Sequence, residues 1–217
     1  MPKGRKPPKP KPKQLLVEGI NDRHVIWALC KHYDVPETFS VEIPNENGTE
    51  GIEIVLKGLR DKLKEKNLQT LGIVVDADQD LQSRWQAIRD RLASVGYQNI
   101  PDVPPVEGWV HEVAQFPKIG VWLMPNNQLP GMLEDFVSYL IPATDLLHPK
   151  AELVLQELER DGIQRYSVVH YPKALIHTWL AWQEKPGMPM GQAITAKVLE
   201  AESPVASLFV DWLKSLF

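Results

Sequence analysis

The chain has little sulfur chemistry to offer. Cys30 is its only cysteine, which excludes an intrachain disulfide and a cysteine zinc cluster. It falls on the apolar face of an expected helix, where a thiol acts as a small core side chain. Long hydrophobic runs are missing too. None approaches the roughly 20 residues that cross a bilayer, and the N-terminus has no apolar h-region of the kind that directs secretion. The expectation is a cytoplasmic protein with no membrane partner. Internal repeats are absent. Histidines are few, and His170 and His177 lie seven apart without a third partner, which suits packing or surface better than a metal site.

What is present suits a soluble globular chain. With 43% hydrophobic and 24% charged residues, 217 residues can bury one large domain, or a domain with a small appendage. The net charge of −4 hides an asymmetry. Six of the 24 basic residues (Lys3, Arg5, Lys6, Lys9, Lys11 and Lys13) lie in residues 1–13, which leaves 18 against all 28 acids in the rest. Residues 1–13 are also Pro-rich, with no hydrophobic period, so a disordered or polyproline-like tail is expected. Such an arm can touch nucleic-acid phosphates through Lys9, Lys11 and Lys13; it can equally serve as a solvated tail.

The chain is organised around Leu71-Gly72-Ile73-Val74-Val75-Asp76-Ala77-Asp78-Gln79-Asp80. An apolar run of this length, bounded by polar residues, reads as a strand buried on both faces. Ionised carboxylates are costly to bury, so the acids belong at the strand's exposed C-terminal end, where open α/β sheets bind ligands. Asp76 and Asp78 are two apart and would point to one side of an extended chain. Two such carboxylates repel unless a cation lies between them. Asp80 also reads as the N-cap of the next helix. Gln14-Leu15-Leu16-Val17-Glu18-Gly19-Ile20-Asn21-Asp22 repeats the design: a short apolar strand, an acid, Gly, then an acid at a helix start. A third strand, 118–124, leads through a polar loop to Met132-Leu133-Glu134-Asp135-Phe136. Taken alone, Asp22, Glu134 and Asp135 read as helix-dipole acids; three strand ends with acids read as a cluster.

Strands at about 15–18, 39–43, 71–75 and 118–124 alternate with helices at about 22–33, 52–65, 81–95 and 132–140. Asn47-Gly48 signals a turn, and 96–106 reads as a connector. The alternation argues for a mostly parallel sheet flanked by helices. The remainder reads as helices only, near 150–160, 174–183, 192–200 and 205–216. The expected organisation is a tail at 1–13, an α/β core at 14–140 and a helical C-terminal elaboration packed on the core at 141–217.

In Val17-Glu18-Gly19 with Asp22, and in Val75-Asp76-Ala77-Asp78, the chain resembles the TOPRIM domain of topoisomerases, primases and small nucleases. Leu133-Glu134-Asp135 is similar to the extra acidic motif of the overcoming-lysogenization-defect nuclease branch. The resemblance covers roughly residues 14–140 and fits a small stand-alone TOPRIM-like protein. It implies a Rossmann-like sheet and a Mg²⁺- or Mn²⁺-dependent phosphodiester hydrolase acting on RNA or DNA. In that reading Glu18 is a ligand or general base, Asp76 and Asp78 hold one ion, and Asp22, Glu134 and Asp135 hold a second, with Asp80 beside them. Lys173, in Tyr171-Pro172-Lys173-Ala174, resembles the basic residue late in those nucleases; the competing reading is a solvated lysine at a helix start. Hard oxygen donors without a His/Cys cluster favour Mg²⁺ or Mn²⁺ over zinc on chemical grounds alone.

Arg23 and His24, beside the acids, could touch phosphate, and Trp109, Trp122, Trp179 and Trp182 could stack bases; Trp122, inside an apolar strand, reads as core. The chain is too short for the strand-gate domains of a topoisomerase, and it lacks the zinc-binding or helicase partner domain of a primase. Two rivals stay open. One is a non-catalytic module that binds nucleic acid or a partner; the other is a phosphatase or nucleotide hydrolase of small molecules. A homo-oligomer stays open as well.

Overall fold

The structure, a computed structural model, describes residues 11–45 and 48–217. Lys9, the tail before it and Asn47 of the expected Asn-Gly turn lie outside the described residues. The elements run β1 (Lys13–Leu16), α1 (Ile20–His32), β2 (Ser40–Glu42), α2 (Ile52–Lys62), β3 (Thr70–Asp76), α3 (Leu81–Val95), β4 (Trp109–His111), β5 (Lys118–Met124), α4 (Leu133–Ser138), α5 (Leu147–Arg160), α6 (Tyr171–Ala181), α7 (Met190–Thr195) and α8 (Pro204–Leu216). A short 3₁₀ turn, Val168–His170, leads into α6. The five strands form one sheet in the order β2-β1-β3-β5-β4. The first four are parallel, and β4 pairs antiparallel to β5 at the edge. The fold is α/β with a mostly parallel sheet, and among the described residues no helix is long and apolar enough to cross a membrane.

Period-two alternation divides the sheet into two faces. Leu16, Leu71, Ile73, Val75, Ile119, Val121 and Leu123 turn to the face covered by α2 and α3, where Leu59, Trp85, Ile88 and Leu92 fill the layer. Leu15, Val17, Val41, Val74, Trp122 and Met124 turn to the other face, against Ile26 and Leu29 of α1, Phe136 of α4, Trp179 of α6 and Phe209 and Leu213 of α8. The C-terminal helices therefore share one core with α1. The seat of α8 is cut by two strand glycines: a Cβ at Gly72 or Gly120 would fall 2.9 or 2.7 Å from the Leu216 side chain.

Helix ends shift by a few residues, most at α7, expected at 192–200 and found at Met190–Thr195; two other departures from expectation have a clear physical reason. The first strand begins at Lys13, inside the stretch read as tail, because Lys13 pairs with Thr70 on β3. Its side chain donates to the Phe217 carbonyl, and Lys11 donates to the Glu37 and Phe39 carbonyls. Lys11 and Lys13 thus sit at the end of the sheet opposite Glu18, which is about 16 Å from Lys13 along an extended strand. The second difference is β4, which follows the Pro-rich connector and is only three residues long; a run that short carries no readable period.

Helix α7 crosses α1 closely enough that a Cβ on Gly191 would lie 2.5 Å from the His24 carbonyl oxygen. A backbone atom cannot rotate away, so Gly191→Ala must push the two helices apart. The expected cost is about 1–3 kcal/mol, measured by urea unfolding. An unchanged midpoint would show that α1 and α7 are not packed this way.

Candidate functional site

Strand pairing assembles the site. Leu15 and Leu16 of β1 lie beside Gly72 and Ile73 of β3, so both strands end at one edge. Glu18, just past β1, accepts the Asp76 backbone N–H at 2.8 Å through Oε1. Asp76 ends β3, and its Oδ1 accepts the Leu133 N–H at 2.9 Å, which pins the start of α4. Asp22 lies in the first turn of α1, and its Oδ2 accepts the Gly19 N–H at 3.1 Å. Glu134 follows Leu133 in α4. It is only 4% exposed, and its carboxylate takes no hydrogen bond among the described residues. The loop before α4 is held by buried Asn127, which accepts the Leu123 N–H at 2.7 Å and donates to the Val106 carbonyl.

Four of the expected acids therefore converge: Glu18, Asp22, Asp76 and Glu134. They line one cleft of about 330 Å³, with Asn21, Glu50, Gly51 and Lys173. Burial raises the pKa of Asp22 to about 7, and the charges of Glu18 and Glu134 push it the same way. Asp76 is raised well above the usual carboxylate range, first by burial and then by Glu18, Asp22, Glu134 and Asp78. Glu18 is raised by burial; the Asp76 N–H opposes the shift, Asp78 adds to it, and Arg84 eases it.

The other three acids are spent differently. Asp78 adopts a left-handed conformation, φ 54°, and its backbone pairs in both directions with Gly131, at 2.8 and 2.6 Å. That twist breaks the extended geometry in which Asp76 and Asp78 would share a side. The Asp78 carboxylate, about half exposed, forms an ion pair with Arg84 instead. Asp80 caps α3, accepting the Ser83 N–H at 2.9 Å and its hydroxyl at 2.6 Å, and these bonds lower its pKa. Asp135 accepts the Met132 N–H at 2.8 Å at the start of α4, and burial raises its pKa.

Among the described residues, no group of three or more His, Cys, Asp or Glu side chains is placed to hold a metal ion. The donors are nonetheless all oxygens, which suits Mg²⁺ or Mn²⁺; Mg²⁺ keeps several waters and takes one or two carboxylates. Glu134 is buried at the wall of the same cleft.

Lys173 comes to the site from α6. It lines the acid cleft and a neighbouring one of about 420 Å³ with Glu18, Asp76, Asp78, Val169 and His170. A third cleft, about 500 Å³, shares Asp78 and Val169 with the second and is walled by Ser83 and Arg84. Arg23 lies outside these walls. Trp109, Trp122 and Trp179 are buried and cannot stack bases, whereas Trp182 is 40% exposed. Sequence reasoning passed over Arg84 and the Glu50-Gly51 part of the polar loop, and it read His170 as packing or surface, whereas His170 lines the second cleft. Arg84 had a signal: with Asp80 as N-cap, residue 84 falls on the first helical turn, facing back toward Asp78.

A raised carboxylate pKa means that the folded state holds its proton more tightly than the unfolded chain. The stability Asp22 contributes is present below the unfolded value near 4 and is lost as pH rises through about 7. Metal-free protein should therefore lose melting temperature between pH 5 and 8, and Asp22→Asn should flatten that loss. An equal slope in the mutant would place the titration elsewhere.

A family model described as a protein of unknown function (DUF3226) matches residues 12–217, so the chain belongs to that family. No curated protein and no solved structure matches the chain.

Proposed function

We propose that this member of the DUF3226 family is a TOPRIM-like, Mg²⁺- or Mn²⁺-dependent phosphodiester hydrolase acting on RNA or DNA. The observation that carries the reading is the set of four carboxylates closed in at one sheet edge, three of them held by backbone N–H groups and, among the described residues, none in an ion pair. Burial of like charges is expensive, and either protons or a cation must offset it. Asp76 and Glu134, with Asp22 and Glu18 beside them, would hold the ion. When bound, it would acidify a coordinated water and offset charge on the phosphoryl oxygens.

The chain's own groups supply the rest. Glu18 is oriented by its bond to the Asp76 N–H, and burial makes it a better proton acceptor than a surface carboxylate. Exposed Lys173 can meet phosphate charge at the cleft mouth. The three clefts share walls and are open, which suits a polymer better than a small molecule enclosed on all sides. The acids at the centre also weigh against metal-free phosphate binding.

Mn²⁺ at a hundred times its Kd should raise the melting temperature by about 5–10 °C through mass action. Asp76→Asn, which can keep the Leu133 bond, should abolish most of that rise and lower cleavage of mixed RNA and DNA substrates at least a hundredfold. Wild type that shows neither a metal-induced rise nor metal-dependent cleavage would leave the binding-module reading in its place.

A further inference from the structure

Arg84 is placed unlike an ordinary surface ion-pair residue. Its side chain is only 14% exposed, whereas Asp78 is 47% exposed. The pair is held through Nη2 and Oδ2. Nε is buried and has no hydrogen-bond partner. A guanidinium carries five N–H donors in a rigid fork that matches phosphate in a bidentate manner. Here most of that fork is unused, and a buried donor without an acceptor is costly. On the same wall Asp80 holds both the Ser83 N–H and the Ser83 hydroxyl, and Gln79 offers only a neutral amide. Among the residues that line the 500 Å³ cleft Arg84 is the one cation, and Asp78 and Val169 are shared with the neighbouring cleft that holds Glu18 and Asp76.

We propose that Arg84 is a phosphate-binding residue, held by Asp78 in the free protein and handed to a backbone phosphate of the polynucleotide when Asp78 is drawn toward the acidic site. It rests on the reading of the site as one for phosphodiesters and deepens it: the chain would be gripped at a phosphate beside the one that reacts, across Asp78. A small phosphate monoester has no second phosphate to offer Arg84.

The test is a double-mutant cycle in EDTA, read by fluorescence anisotropy with fluorescein-labelled dT10 and U10 on the full chain. Asp78→Asn releases Arg84 and should tighten binding about tenfold. Its log-affinity against log-salt slope should be steeper than the double mutant's by about 0.7, the increment of one contact to a single strand. In an Arg84→Gln background, Asp78→Asn should change affinity less than twofold. Equal tightening in both backgrounds would show only relief of acidic repulsion and would overturn the proposal, as would no tightening in either. If Arg84→Gln does not fold, Arg84→Lys replaces it. An ammonium cannot reproduce the fork, so D78N/R84K should bind at least threefold more weakly than D78N, and equal binding overturns the proposal. Cleavage separates this inference from the hydrolase itself. Inactive wild type defeats the hydrolase and leaves the binding cycle to decide Arg84. Active wild type with full kcat in Arg84→Gln overturns Arg84 alone. A hundredfold loss of kcat with an unchanged Mn²⁺-induced melting shift supports it.

Discussion

Uncompensated negative charge at one sheet edge is the constraint on which the site depends. A cation answers it only in part: Arg84, paired with Asp78, eases the charge on Glu18. For the rest, the fold answers with backbone. Glu18 takes the Asp76 N–H, Asp22 the Gly19 N–H and Asp76 the Leu133 N–H. Asp22 and Glu134 also lie in first helical turns, where the macrodipole favours an anion. One N–H orients a carboxylate without neutralising it. The pKa values of Glu18, Asp22 and Asp76 stay raised. Such a design spends folding free energy to hold an electronegative hollow. That cost is understandable where a cation or proton is meant to enter.

Chemically identical residues a few positions apart do unrelated work here. Asp76 and Asp80 are both aspartates after one strand, yet Asp80 is a helix cap in solvent. Asp135 closes the start of α4, while its neighbour Glu134 faces the cleft. The difference is backbone geometry. A helix start consumes an acid whose side chain can reach back three residues to an N–H, and it leaves its neighbour free. Asp78 shows the same control by a different means. Its positive φ and its bridge to Gly131 turn the carboxylate out to the rim, where it meets Arg84. Asp78 and Val169 thereby stand between the cleft of Glu18 and Asp76 and the wall that carries Arg84.

Much of this was legible in the residues. The apolar runs of β3 and β5 and the acids that follow β1 and β3 locate the edge without coordinates. The cap at Asp80 follows from residue type and position. What escaped depends on backbone torsion and on contacts distant in sequence. An extended-chain argument places Asp76 and Asp78 side by side; they do line one cleft with Glu18, but the left-handed Asp78 pairs with Arg84, and nothing in Asp-Ala-Asp states that torsion. β4 escaped because three residues have no period. Trp109 and Trp179 look like stacking platforms only until their indoles are seen inside the core. The approach of Lys173, Val169 and His170 to the acids depends on how α6 packs, which periodicity does not report.

The C-terminal helices change what the site can communicate. α6 supplies Lys173 to the cleft, α7 packs against α1 at Gly191, and α8 seats on the sheet over Gly72 and Gly120. The helix that carries Asp22 is thus part of the same apolar core as the last turn of the chain. The acids come from distant parts of the sequence and meet only when that core forms. A ligand that neutralises them gains little from the unfolded chain, where each carboxylate is separately hydrated. Its binding free energy must then appear as stability of the folded core, including helices that never touch it. The reverse follows by linkage: loosening α7 or α8 should weaken the charge cluster's hold on a cation even where no acid is altered. Local electrostatics and global packing are one equilibrium in this fold.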